Sequence, residues 1–303
     1  RRLGGAGERA AVNLALQTLV DGLILGGVLS LAAVGFSLIF GVMGVVNLTH
    51  GVIVLIGAYM AYAAWHGLGV DPLLMIPAVM AALFAFGYVY QRVLIQTAID
   101  RASLLASLLV TFGVALMLRN VLVLVFSPDI KNISPAYAFT FFRLGPVTVD
   151  LVRVVALGAS LVLIGALAWV LNRTELGRVI RATAQQVLAA RLCGVNVRHV
   201  FGLTFGIAAA FAGAAGVIIG IILPFAPPNE VQWTLYAFVV VVLGGVGSPS
   251  GALLGGLLLG LINSFTAQYV GPAFTNAMMF LILVLMLMVR PHGLLGNAFG
   301  GSR

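Results

Sequence analysis

The distribution of charge constrains this chain more than any other feature. No Asp, Glu, Lys or Arg occurs in residues 22–70, 199–229 or 231–289. About 20 apolar residues suffice to cross a bilayer as a helix, so each of these runs has room for at least one crossing, and the longer ones for more. The composition agrees: 62% of the 303 residues are hydrophobic and 8% are charged, against roughly a quarter charged in ordinary soluble domains. Most of the chain is expected to lie in lipid.

Glycine, proline and polar punctuation divides the chain into ten candidate spans, at about 11–28, 30–46, 51–66, 72–91, 104–126, 149–171, 200–222, 231–246, 251–269 and 274–290. The expected fold class is all-α, a single transmembrane domain over residues 1–303. It is a polytopic membrane helix bundle of about 8–10 transmembrane helices, some short or discontinuous. The arginines before residue 10 superficially resemble a secretory signal, but the apolar character continues past the usual signal core, so a retained first span is expected. The sequence opens without Met, and a short segment is expected to precede Arg1.

Orientation follows from arginine, which collects in cytoplasmic loops. Residues 172–199 carry Arg173, Arg178, Arg181, Arg191 and Arg198 against Glu175 alone, which predicts a cytoplasmic loop. Counting outward through ten spans puts Arg92, Arg101, the amino-terminal arginines and Arg290 on the same side. Asp71, Asp129 and Glu230 fall outside. Both termini are therefore predicted to be cytoplasmic. Lys131 and Arg143 are exceptions in an external loop, 127–148, whose Pro128, Pro135, Pro146 and aromatic residues suggest an ordered segment on the membrane surface.

Several chemistries are disfavoured. The net charge of +8 is spread between apolar segments, not gathered into a basic stripe with aromatics, so a nucleic-acid partner is not expected. The single cysteine, Cys193, permits no intrachain disulfide and reads as packing. No cluster of His, Cys, Asp or Glu suggests a metal site, and no catalytic residues are assigned. The only lysine, Lys131, lies far from the glycine-rich stretch 244–251, so no phosphate loop exists.

Residues 174–200 read as a helix outside the membrane. Leu176, Val179, Ile180, Thr183, Val187 and Ala190 recur near helical spacing, Glu175 suits the positive amino-terminal end, and Gly194 suits the stop. Such a helix, over about 176–193, lies either on anionic lipid or against another protein, and the small residues Ala182, Ala189 and Gly194 suit protein. Two interruptions, Asn47-Leu48-Thr49-His50-Gly51 and Gly247-Ser248-Pro249-Ser250-Gly251, join a short span to the next. They read equally as tight cytoplasmic turns or as irregular backbone at membrane depth, which is tolerated only where buried in protein or lining a cavity.

Four stretches together resemble one family, the LivH-type branched-chain amino acid permeases of ATP-binding-cassette importers. Gly177 to Gly194 is similar to the family's coupling loop, and Asn47-Leu-Thr-His50-Gly51 to its Asn-Phe-Ala-His-Gly. Gly244-Gly245-Val-Gly247-Ser248 resembles its Gly-Gly-Xaa-Gly-Ser, and Arg290-Pro291-His-Gly293-Leu294-Leu-Gly296 its closing Arg-Pro-Xaa-Gly-Leu-Xaa-Gly. The likeness covers about residues 12–297.

The resemblance implies a homologous second permease, two cytoplasmic ATPase subunits that bind ATP and magnesium, and a periplasmic solute-binding protein. It places the chain in the bacterial inner membrane without a cofactor of its own. It implies ATPase coupling through Gly177, Arg178, Arg181, Ala182, Gln185, Ala189 and Gly194. Many relatives carry an acidic residue where Val52 stands, and often a Glu near Asn263, so the ligand stays open between branched-chain amino acids and urea, short amides or other small carboxylates.

Polar groups inside spans are expected to face a cavity or a partner helix. Asn47, Thr49, His50, Gln232, Trp233, Tyr236 and Asn263 are the pathway candidates, with Ser264, Gln268 and Asn276 nearby. The same side chains also suit interhelical hydrogen bonding. His50 with Asp21 makes a weak proton relay, so a structural hydrogen bond is preferred for His50. An ion-coupled transporter or intramembrane enzyme is disfavoured by so few intramembrane carboxylates. Glycine pairs at 213 and 216, 251 and 255, and 256 and 260 are expected to let helices approach closely.

Overall fold

The first helix, α1, runs unbroken from Arg2–Met43, so the two spans expected at 11–28 and 30–46 are one. No proline interrupts the run, and its glycines serve packing rather than turning. A Cβ on Gly26 would lie 2.6 Å from the Cα of Leu257, so these glycines are where another helix crosses. The computed structural model describes residues 2–101, 104–145 and 147–296; Arg1 and Pro146 lie outside the described residues.

The elements after α1 are α2 (His50–Leu68), α3 (Ile76–Tyr90), a π-helical turn (Gln91–Ile95), α4 (Gln96–Arg101) and α5 (Leu104–Phe126). A hairpin of β1 (Phe141–Leu144) and β2 (Val147–Asp150) precedes α6 (Leu151–Arg173), α7 (Glu175–Gln185) and α8 (Val187–Leu192). The chain ends with α9 (Val197–Ile222), α10 (Glu230–Gly244), α11 (Pro249–Tyr269) and α12 (Thr275–Val289). Among the described residues, eight helical segments are long and apolar enough to cross a membrane. The expected span at 231–246 is not one of them. Its helix, α10, has 15 residues, about 22 Å at 1.5 Å per residue, short of a hydrocarbon core of about 30 Å.

The molecule is an all-α membrane helix bundle with α1 and α9 at its centre. The most apolar windows of these two helices are 83% and 89% buried, against 11% for the segment containing α12. Lipid is as apolar as a protein interior, so association depends on close packing by small residues. The central helices supply them: Gly213 meets Gly57 of α2, Gly256 meets Ser30 of α1, and Gly260 meets Gly22 and Gly26. The expected glycine pairs are helix-packing positions.

Contacts along α1 measure depth. Asp21 bonds Arg153 at the start of α6 at 2.7 Å, the carbonyl of Ala32 meets the His50 ring, and Ser37 Oγ meets the Gly247 amide. At 1.5 Å per residue, His50 lies about 16 Å and Gly247 about 24 Å below Asp21. The first interruption is buried within the bundle, and the second is buried at Gly247 and Ser248 and exposed at Ser250. Since α1 crosses once, its amino-terminal end shares the Asp21 face with the 127–150 segment. The α6 helix carries the chain to the other face, where residues 172–199 lie. The carboxy-terminal segment packs at the end of α10: the Leu294 and Leu295 amides donate to the Leu243 and Gly244 carbonyls.

On the Asp21 face, the segment expected to be an ordered loop is built of defined contacts. Lys131 and Phe225 exchange backbone hydrogen bonds at 2.8 and 3.0 Å. Tyr137 donates to Asp71 at 3.1 Å, and burial, aided by the Asp71 carboxylate, pushes the Tyr137 hydroxyl well above its ordinary value. Gln17 of α1 binds both the amide and the carbonyl of Thr148, each at 2.9 Å, so a helix side chain completes the edge of β2.

Candidate functional site

The first interruption is a turn closed by its own side chains. Asn47 Oδ1 accepts from the Thr49 amide at 3.1 Å and from the Thr49 hydroxyl, Thr49 also contacts the Tyr90 hydroxyl at 3.0 Å, and the Leu48 amide donates to Thr111 at 3.3 Å. The His50 ring meets the Ala32 carbonyl at 2.6 Å. Asn47, Thr49 and His50 are all at most 1% exposed, and none lines the cavities described below. Asp21, about 16 Å away along α1, is engaged by Arg153 and Gln17, so the two members of the weak relay do not meet.

This turn also touches α10. The Gly51 amide donates to Thr234 at 2.9 Å, and a side chain on Gly51 would collide with the Glu230 carbonyl, so glycine is required where α2 starts against α10. Glu230 itself is buried and paired with Arg119 of α5 at 3.4 Å.

The opposite side of α10 faces open space. Gln232, Trp233 and Tyr236 join Asn263 and Ser264 of α11, Leu25 and Leu29 of α1, and Asn229 around a cavity of about 320 Å³. The four remaining pathway candidates are thus brought together. Gln232 donates to the Tyr236 hydroxyl at 3.0 Å, and the Trp233 and Tyr236 rings pack edge to face at 5.8 Å. A second cavity, about 400 Å³, shares Leu25, Leu223, Ser264 and Ala267 with the first and is bordered by Asp21, Arg153 and Gln268. Gln232 and Asn229 also border a third cavity of about 260 Å³ with Asn276 of α12. Sequence reasoning missed Asn229, Thr275 and Arg153 as cavity-lining residues. Arg153 carried a signal, a charge just inside an apolar span.

The basic segment outside the apolar band is a helix pair, not the single helix expected. Gln186 leaves the helical region at φ −156° and divides α7 from α8. Thr174 caps α7 by accepting from the Gly177 amide at 3.1 Å, and Gly194 ends α8 at φ +84°, a left-handed conformation that favours glycine. The seven coupling candidates divide. Gly177 is buried against the Val170 and Leu171 carbonyls, and Arg181 is half-buried. Arg178, Ala182, Gln185, Ala189 and Gly194 are exposed, with Arg178 paired to Glu175 at 2.9 Å. Leu188 and Leu192, one turn apart on α8 and not among the seven candidates, are 64% and 81% exposed. Leucines off the buried stripe were the available signal.

Irregular backbone at membrane depth is tolerated where it is buried in protein, as at Asn47, Thr49 and His50. An apolar helix bundle that also encloses a polar-lined cavity between α1, α10 and α11 has the form of a membrane permease. The chain also matches, over residues 18–289, the family described as branched-chain amino acid transport system / permease component, and it belongs to that family. It is 32% identical over 297 residues to the high-affinity branched-chain amino acid transport system permease protein BraD of Pseudomonas aeruginosa, covering 93% of this chain and 96% of the relative. The corresponding LivH of Escherichia coli is 29% identical over 304 residues, covering 93% and 96%. LivM of the same organism, a permease protein of the same system, is 29% identical over 317 residues, covering 95% of this chain and 70% of the relative. No solved structure matches the chain.

Proposed function

We propose that this chain is the membrane-spanning subunit of an ATP-driven importer of branched-chain or related small amino acids. The observation that carries the reading is the cavity between α1, α10 and α11, whose polar lining is uncharged and whose remaining walls are apolar. Such a surface suits a solute with a polar end and an aliphatic body. Similarity to both LivH and LivM supports pairing with a second, homologous permease. Two cytoplasmic ATPase subunits, holding ATP and magnesium, act on the α7–α8 pair through its exposed residues, including Arg178, Ala182, Gln185, Ala189, Leu188 and Leu192. An external receptor delivers the solute to the Asp21 face. With the arginine-rich segment cytoplasmic, the amino-terminal end of α1 is periplasmic and the carboxy-terminal segment cytoplasmic. ATPase movement biases the bundle between outward- and inward-open states.

The test is uptake of radiolabelled leucine by membranes holding the complete complex. Uptake that requires ATP and falls on Arg181→Glu with Gly194→Trp is expected. Uptake that persists without ATP while a proton gradient is held, or that is unaltered in the double variant, overturns the reading. Uptake of urea in place of leucine would reassign the ligand.

A further inference from the structure

Two residues that line the cavity between α1, α10 and α11 each carry a polar atom that the chain itself leaves unpaired. Trp233 Nε1 and Asn263 Oδ1 are buried without a hydrogen-bond partner, each in a residue only 6% exposed, and both residues line the cavity. Other polar side chains of the lining are engaged. Asn229 Oδ1 accepts from the Ala226 amide at 2.9 Å, Thr275 donates to the Pro272 carbonyl at 2.8 Å, and Gln232 donates to Tyr236. Buried polar atoms are nearly always satisfied, and an unsatisfied one calls for an explanation.

The two atoms are chemically opposite. An indole Nε1–H can only donate, and an amide oxygen can only accept. The lining contains no Asp, Glu, Lys or Arg, and Leu25, Leu29, Leu223 and Ala267 form its apolar part. A ligand with one net charge would enter without a counter-charge, which is costly in a dry site. A zwitterion has no net charge and presents one acceptor end and one donor end. In the adjoining outer cavity Asp21 is paired with Arg153 at 2.7 Å, and Arg153 also pairs with Asp150 at 3.1 Å.

We infer that Trp233 and Asn263 select the zwitterionic backbone of an aliphatic amino acid, the Trp233 Nε1–H donating to its α-carboxylate and Asn263 Oδ1 accepting from its α-ammonium. The aliphatic side chain then packs against Leu25 and Leu29. The assignment rests on the importer reading above and adds to it the groups that recognise the solute. It also gives the two unpaired atoms their partners.

The experiment uses the whole complex in proteoliposomes with saturating receptor, and measures the initial rate of [14C]leucine uptake. Trp233→Phe keeps an aromatic ring and removes only the donor. Asn263→Leu keeps the size and removes the acceptor. Each is expected to lower the rate about tenfold or more, the scale of a hydrogen bond to a charged group, while the melting temperature of the complex stays unchanged. Asn263→Asp restores an acceptor and is expected to recover uptake relative to Asn263→Leu. Wild-type rates in both Trp233→Phe and Asn263→Leu overturn the assignment, and Asn263→Asp no better than Asn263→Leu overturns its ammonium half. If Asn263→Leu fails to assemble, Trp233→Phe decides. A wild-type complex that hydrolyses ATP and imports urea but no leucine overturns the importer reading itself, which separates that failure from this one.

Discussion

The seam between α1 and α11 allows a quantitative test of the packing that positions the cavity. In Gly26→Ala, the new Cβ would lie 2.6 Å from the Leu257 Cα and 2.8 Å from the Gly256 carbonyl oxygen. Ordinary contact begins near 3.4 Å, so the helices must separate by about 0.8 Å. Both obstacles are backbone, and no side chain can rotate away. A gap of about 0.5–1 Å forfeits a quarter to a half of the dispersion energy along a contact, and overpacking of this kind costs about 1–3 kcal/mol. Ser30 also donates across the seam to the Leu253 carbonyl at 3.0 Å, and loss of that bond adds roughly 1 kcal/mol. Alanine returns about 0.5–1 kcal/mol as the better helix former. The net expectation is a destabilisation of about 1–3 kcal/mol. It is read as a lower apparent melting temperature of the detergent-solubilised protein followed by size-exclusion chromatography. Gly158→Ala and Gly165→Ala on α6 are the controls, since an added Cβ there meets nothing within 4 Å. Equal melting of Gly26→Ala and Gly158→Ala would refute the reasoning.

Three further outcomes are expected. Arg119→Met leaves the Glu230 carboxylate, 4% exposed, buried without its cation, a loss of about 3–5 kcal/mol; Glu230→Gln added to it should restore most of the melting temperature, and equal loss in the double variant would contradict the pairing. Leu192→Asp on the exposed face of α8 should leave melting unchanged but weaken co-purification of the ATPase subunits, so undiminished co-purification removes Leu192 from that interface. Gln17→Leu deletes both bonds to Thr148, about 1–3 kcal/mol of local stability, and should speed hydrogen exchange at residues 147–150; unchanged exchange would show that Gln17 does not hold the hairpin.

Much of the helix map was legible because lipid imposes a simple rule. The limits expected at 104–126, 149–171 and 200–222 lie close to α5, α6 and α9, since charged or proline-bearing segments flank each apolar run. The failures are equally physical. Gly26, Gly27 and Gly35 look like turn residues in sequence, but in α1 they accommodate Leu257, Leu157 and Ala208. A glycine that breaks a helix and one that admits a neighbour are the same letter. That ambiguity made two expected spans of what is one helix, α1.

The candidate site divides along the same line. Asn47, Thr49, His50, Gln232, Trp233, Tyr236 and Asn263 could all be chosen from sequence, because each is a polar group that lipid would not accept. Sequence alone determined that this chain lives in a bilayer, lacks a nucleotide-binding loop and carries a basic helical segment outside the apolar band; composition and periodicity suffice for those properties. Only the tertiary structure decided that the first three polar groups close a buried turn, that the other four meet around one cavity, and that Trp233 and Asn263 are left unpaired there. Which polar group finds a partner depends on helices brought together from distant parts of the chain, and local sequence holds no record of that distance.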